Sequence, residues 1–257
     1  MRKIRATLRL IGLLIFTLTS FSIYAIGLVV PKLFRLPYEP WRNQFMRSWS
    51  RGVAIIFNMK MTVKGTPPQS PFFLVSNHLS YLDIVPLFLN LRCTFVAKKA
   101  VRSWPMLGFM VNAVGVIFVD RGRRGDVKRV NEVLSQSMNK YQGLIVFPEG
   151  TSSGGEEVLP FHASLLKYPA SAEIPVHTAA ISYRTKEGDE PARDSVCFFG
   201  ARHSFPQHVW KLAQTRRVYC TIRFGEQTVQ SANRKELAAK LRDKVQDIFE
   251  PTSPALQ

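Results

Sequence analysis

The sequence predicts an α/β fold, a mixed sheet flanked by helices with an N-terminal membrane-associated helical pair, on three observations. From residue 70 onward short β-like runs alternate with helical or loop segments, the order that builds an α/β sandwich. Ahead of them lies an apolar run of helical length with basic flanks. The charge follows the same division. The 257-residue chain carries a formal +17, and residues 1–119 hold fifteen Lys or Arg against two carboxylates, Glu39 and Asp83. A charge of this size implies an anionic partner, nucleic acid or an anionic membrane surface. Its concentration around an apolar run, with no recognisable nucleic-acid motif, favours the membrane. A hydrophobic content of 46% excludes a largely disordered chain. The three cysteines, Cys93, Cys197 and Cys220, are odd in number and include no CxxC pair, so they make neither a disulfide scaffold nor a cysteine zinc site.

The elements follow in order. Leu10 to Pro31 is uncharged over 22 residues, flanked by Arg2, Lys3, Arg5 and Arg9 before and by Lys32 and Arg35 after. At about 1.5 Å per residue a helix of that length matches a hydrocarbon core of about 30 Å. A cleaved signal peptide is the competing reading, but its apolar part is usually about 7 to 15 residues and ends in a small-residue cleavage site, which this run lacks. Pro40 to Phe57 places Trp41, Phe45, Trp49, Val53 and Phe57 at steps of four, with Arg47 and Arg51 opposite. That pattern suits either a helix in the headgroup layer, with Arg42 snorkelling, or a helix packed on the protein's own core. Gly65, Pro67 and Pro68 close this unit, which divides the chain into a membrane-helix and amphipathic-helix region, 1–60, and a second domain, 61–257. Strands are predicted at Phe72–Val75, Val114–Val119, Leu144–Phe147, Val176–Ile181 and Val218–Phe224. Helices are predicted at Gln44–Asn58, Tyr81–Leu91, Val127–Tyr141 and Arg234–Phe249.

Two polar clusters carry the chemistry. The first, Ser76-Asn77-His78-Leu79-Ser80-Tyr81-Leu82-Asp83, follows the apolar run Phe72 to Val75. In a continuous helix a five-residue separation turns two side chains about 140° apart. His78 and Asp83 therefore meet only if His78 lies in a loop and the helix starts near Ser80, a boundary that Ser80 and Asp83 also mark as a capping box. Asp83 either caps the helix alone or orients His78, and it is the sole carboxylate between Glu39 and Asp120. A carboxylate beside a histidine fixes its tautomer and leaves the other ring nitrogen to take a proton from a hydroxyl. No G-x-S-x-G elbow is present, and the spacing fits no metal motif, which favours a dyad activating the substrate's own hydroxyl over an enzyme nucleophile. The second cluster, Phe147-Pro148-Glu149-Gly150-Thr151-Ser152-Ser153-Gly154-Gly155, follows a strand-like run, where Gly and hydroxyl residues bring backbone N–H groups near an anion.

Asn77-His78 and Asp83, followed about seventy residues on by Phe147-Pro148-Glu149-Gly150-Thr151, resemble the glycerolipid acyltransferase family that includes 1-acyl-sn-glycerol-3-phosphate acyltransferases. Val116-Ile117-Phe118-Val119-Asp120-Arg121 is similar to its second motif and Ile174-Pro175-Val176 to its fourth, so the likeness covers roughly residues 60 to 230. The resemblance implies that His78 deprotonates an acceptor hydroxyl, which attacks the thioester of acyl-CoA or acyl-carrier protein, while Asp83 orients His78. Arg121, Glu149, Gly150 and Thr151 would line the acceptor site, with Arg121 a phosphate partner. The expected reaction is acylation of lysophosphatidic acid to phosphatidic acid in phospholipid biosynthesis. The alternative acceptor is another lyso-lipid, such as lyso-ornithine lipid or a lysophospholipid. No metal or cofactor is needed beyond the acyl-donor substrate, the partners are membrane lipids and not nucleic acid, and the expected place is a bacterial inner membrane with the site at the cytoplasmic face. One departure stands out. The family's third motif commonly continues with arginine where this chain has Ser152, and a basic residue often found further along is His162 here. Arg123, Arg124, Lys98, Lys99 or Lys167 are the residues available to replace the missing phosphate clamp.

Overall fold

The computed structural model describes residues 2–98, 107–119, 127–200 and 203–252. The apolar run becomes one long helix, α1 (Arg2–Gly27), with a short continuation, α2 (Val29–Leu33). At about 1.5 Å per residue the 26 residues of α1 extend about 39 Å. One side of α1 is held against the protein. The Tyr24 ring stacks on Phe45 with centroids 4.4 Å apart, and its hydroxyl donates to the Ala113 carbonyl at 3.2 Å. Near the other end Arg5 and Arg9 donate to the carbonyls of Gln214 and Thr215. The opposite side exposes Ile11, Leu14, Ile15, Leu18, Ile23 and Ile26, a continuous apolar strip of the kind that water disfavours and lipid accepts.

The next helix, α3 (Glu39–Ile56), turns its apolar side inward: Phe45, Met46, Trp49 and Val53 are buried. Of the two readings open for this segment, packing on the protein's own core is the one observed. The reason is α1, which occupies the outer position and covers the aromatic stripe of α3. Gly52 allows the close approach, since a Cβ there would lie 2.1 Å from the Phe16 ring. Arg42 does not snorkel. It is fully buried, and its Nη2 donates to Asn43 Oδ1 at 2.6 Å and to the Cys93 carbonyl at 2.9 Å.

The remaining elements are β1 (Met59–Lys64), β2 (Phe73–Ser76), α4 (Ile84–Asn90), β3 (Cys93–Lys98), α5 (Leu107–Ala113), β4 (Ile117–Val119), α6 (Val127–Ser137) and β5 (Gly143–Val146). They continue with α7 (Lys167–Ser171), β6 (Val176–Thr185), α8 (Ala192–Ser195), α9 (Phe205–Gln214), β7 (Val218–Phe224) and α10 (Arg234–Ile248). Among the described residues the strands form one mixed sheet in the order β1-β7-β6-β2-β5-β3-β4. Five neighbouring strands are parallel, while β7 runs antiparallel to β6 and β1 pairs parallel with β7. Strands β2 and β5, fully buried and without a charge, form the centre, as parallel strands covered on both faces do.

The five predicted strands and the predicted helices are present, with ends moved by a few residues. The predicted helix Tyr81–Leu91 opens with a 3-10 turn, Tyr81–Asp83, before α4. The sequence reading missed strands β1 and β3 and helices α5, α7, α8 and α9. Strand β1 lies on the sheet edge with most of its side chains exposed, so no apolar alternation marks it. Helix α9 did carry a signal, Ser204 three residues before Gln207, and both residues cap it.

Candidate active site

Strands β2 and β5 are parallel neighbours in the register Val75 to Val146, so they end side by side. The Asn77-His78 segment leaves one, the Phe147-Pro148-Glu149 segment leaves the other, and residues seventy positions apart meet beyond the carboxyl ends of adjacent strands, a recurrent place for sites in open α/β sheets. Asn77 ties this junction to β6. Its Oδ1 accepts from the Ile181 N–H at 2.8 Å and its Nδ2 donates to the Ile181 carbonyl at 2.9 Å. The His78 carbonyl accepts from Ser153 N–H at 2.9 Å, and its N–H donates to Glu149 Oε1 at 3.4 Å. The two motif loops therefore brace each other through one backbone–backbone bond and the Glu149 carboxyl.

His78 lies in the loop before the 3-10 turn, which brings its Nδ1 within 2.7 Å of Asp83 Oδ2. The same oxygen accepts from the N–H groups of Leu79 at 2.8 Å and Ser80 at 3.1 Å, so one carboxylate both caps the turn and orients the imidazole. The other oxygen, Oδ1, accepts from the Tyr183 hydroxyl at 3.0 Å. Asp83 is fully buried, and a buried carboxylate is tolerable when its lone pairs are met in this way. Donation of Nδ1–H to Asp83 leaves Nε2 as the unprotonated nitrogen of the ring. The imidazole stacks on Phe147 with centroids 4.3 Å apart, and Phe147 stacks on Phe95 at 5.9 Å. The His78 side chain keeps 27% of its surface exposed, so a substrate reaches it.

Glu149 is 2% exposed, and its Oε2 has no hydrogen-bond partner. Burial pushes its carboxyl up to about 8, with the nearby Asp83 charge adding to the rise and the His78 N–H opposing it. At neutral pH Glu149 is accordingly mostly protonated and able to donate. Gly150 adopts φ +70°, a left-handed conformation that glycine supplies without strain and that turns the loop back toward Phe147. Thr151 is exposed on the same loop. Ser152 is half-buried, its hydroxyl donating to the Phe198 carbonyl.

Other sequence-predicted residues lie elsewhere. Arg121, Asp120, Arg123, Arg124 and Lys99 fall outside the described residues, as does the Lys98 side chain. Lys167 lines an open surface groove with Asn233 and Arg234 at the start of α10, away from the motif loops. His162 is exposed, and its backbone N–H donates to the Pro148 carbonyl. Two further contacts at this site were not in the sequence reading. Tyr183 reaches Asp83 from β6. His208 on α9 sits between the Tyr81 hydroxyl at 3.1 Å and the Cys197 carbonyl at 2.9 Å, fastening the turn that carries Asp83, and burial lowers its pKa to about 4.

The family model described as Acyltransferase matches residues 60–182, a span that holds both motif loops. The chain is an O-acyltransferase. It is 31% identical over 215 residues to the lyso-ornithine lipid O-acyltransferase of Pseudomonas aeruginosa, covering 82% of this chain and 81% of that one. It is 29% identical over 208 residues to the 1-acyl-sn-glycerol-3-phosphate acyltransferase of Neisseria meningitidis, covering 80% and 79%. The chain belongs to the glycerolipid acyltransferase family. The crystal structure of the 1-acyl-sn-glycerophosphate (LPA) acyltransferase PlsC from Thermotoga maritima shares the fold, with a TM-score of 0.63, 21% identity and coverage of 96% of this chain and 98% of that one.

Proposed function

We propose that this chain transfers a fatty acyl group from acyl-CoA or acyl-carrier protein to the free hydroxyl of a lyso-lipid, with lysophosphatidic acid as acceptor and phosphatidic acid as product. The observation that carries the reading is the 2.7 Å contact of His78 Nδ1 with a buried Asp83 at the junction of β2 and β5. Nε2 of His78 takes the acceptor's proton as the oxygen attacks the thioester carbonyl. The C–S bond then breaks, an ester C–O bond is in place, and the imidazolium returns the proton to the departing thiolate. Asp83 stabilises the imidazolium between these two steps. The thioester is already activated, so no metal or cofactor is invoked. Glu149, with a protonated carboxyl and an unpartnered oxygen, is assigned a contact to the acceptor, with the Gly150 and Thr151 backbone beside it. Arg121, on the second motif, is assigned the acceptor phosphate.

The apolar outer strip of α1 supports a membrane location, because the lyso-lipid then meets the site without leaving the bilayer. An inner-membrane placement with the site facing the cytoplasm is part of this proposal, because soluble acyl donors are found on that side.

A second acceptor, lyso-ornithine lipid, is favoured by one specific observation. Ser152 stands where the family commonly has an arginine, and its hydroxyl is committed to the Phe198 carbonyl, so this position supplies no phosphate clamp. The test is a comparison of kcat/KM for the two acceptors with the purified protein in mixed micelles, the products being identified by mass. A ratio of at least tenfold for lysophosphatidic acid is the expected result. A tenfold ratio in the other direction transfers the assignment to lyso-ornithine lipid.

A further inference from the structure

We infer that Tyr183 is a positioning residue for the acyl transfer, acting through Asp83 to set how strongly His78 holds its proton. The inference rests on the reading of His78 as the base. Three observations carry it. The Tyr183 hydroxyl donates to Asp83 Oδ1 at 3.0 Å, while Oδ2 faces His78, so the two oxygens are divided between the tyrosine and the imidazole. Tyr183 is fully buried on β6, two residues beyond Ile181, whose backbone is bonded twice to the Asn77 side chain. The registers of β6 and of the His78 loop are thereby locked together, and the phenol has one fixed place under the carboxylate. Third, with Asp83 fully buried, no solvent takes over at Oδ1 if the phenol is lost.

The titratable groups around the pair come from every side. Glu149 follows β5, Tyr183 lies on β6, Cys197 follows α8 and Cys220 lies on β7 opposite Tyr183. Both thiols and the phenol are held above their ordinary pKa by burial, and Glu149 is raised as well, so each of these neighbours resists ionising beside Asp83. In that setting the phenol O–H is the partner that draws negative charge away from the carboxylate on the side opposite His78. Its removal makes Asp83 a stronger acceptor toward the imidazolium and also easier to protonate. Both changes move in one direction, because the working form, neutral His78 with ionised Asp83, then requires a higher pH.

The experiment is the pH profile of kcat/KM for lyso-lipid acylation by the full chain in vesicles or micelles. Tyr183→Phe keeps the ring and removes only the hydroxyl. The acid limb is expected to move up by roughly 0.5 to 1 pH unit, with kcat at neutral pH down about three- to tenfold at most and KM for either substrate within about twofold. 3-Fluorotyrosine placed at position 183 keeps the hydroxyl, makes it a stronger donor, and is expected to move the limb slightly down. Shifts of opposite sign support the inference. A limb at its wild-type position in either variant overturns it, whatever happens to kcat or to the melting temperature, because a packing role alone does not move the limb. Failure of this inference is separable from failure of the base assignment: the former leaves His78→Ala inactive, the latter leaves it active.

Discussion

Asp83 and Arg42 are both fully buried charged residues, and the fold treats them unequally. Asp83 receives four donors: His78 Nδ1 and the N–H groups of Leu79 and Ser80 at one oxygen, and the Tyr183 hydroxyl at the other. Arg42 makes two hydrogen bonds through Nη2, while its Nε and Nη1 have none, and no ion pair to it is found among the described residues. Burial accordingly holds its guanidinium below the usual range. The two charges serve different ends. A carboxylate that must present one oxygen to an imidazole needs every other direction fixed, and a set of backbone and phenol donors does that without reorganising during the reaction. A guanidinium that only ties the start of α3 to the Cys93 carbonyl tolerates unpaired nitrogens, at a cost in stability.

Substitutions at these two positions separate the two roles. The largest effect is expected at Asp83. Asp83→Asn preserves shape but gives His78 a neutral partner, and kcat is expected to fall about 10³-fold, read in steady-state acylation assays. A fall of less than tenfold would mean that the four donors serve only to cap the turn. The smaller effect is expected at Arg42. Arg42→Met keeps most of the volume and removes the half-paired charge, so kcat should stay within about threefold and the melting temperature should be unchanged or raised. Thermal unfolding checks this, and a variant that folds normally but has lost its activity would show that the Arg42 charge serves the reaction after all.

How much of this was legible depended on how local the signal was. The His78 and Asp83 pairing was readable because both residues lie within six positions of each other, in a stretch where carboxylates are rare, and because Ser80 marked the helix start that lets them meet. The junction with Glu149 was readable only through the order of motifs, since no spacing states that β2 and β5 are neighbours. Tyr183 was not readable. It is 100 residues from Asp83 on a strand whose register against the His78 loop is set by Asn77 and Ile181, and a one-residue slip would turn it to the other face of the sheet. The helical wheel of α3 identified its apolar face correctly but not what covers it, because α1, read by itself as a lipid-facing helix, is also the partner that buries Phe45 and Trp49. That arrangement explains Arg42. A residue that looks free to snorkel on an isolated helix is enclosed once two helices and the start of β3 close around it.

Whether an Asp83-oriented His78 is the base for acyl transfer is decided by one rate. Purified His78→Ala, shown to melt at the wild-type temperature, is supplied with acyl-CoA and lysophosphatidic acid or lyso-ornithine lipid, and esterified product is measured by mass. The account predicts a rate at least about 10³-fold below wild type with both acceptors. A rate within tenfold of wild type with either acceptor would contradict it.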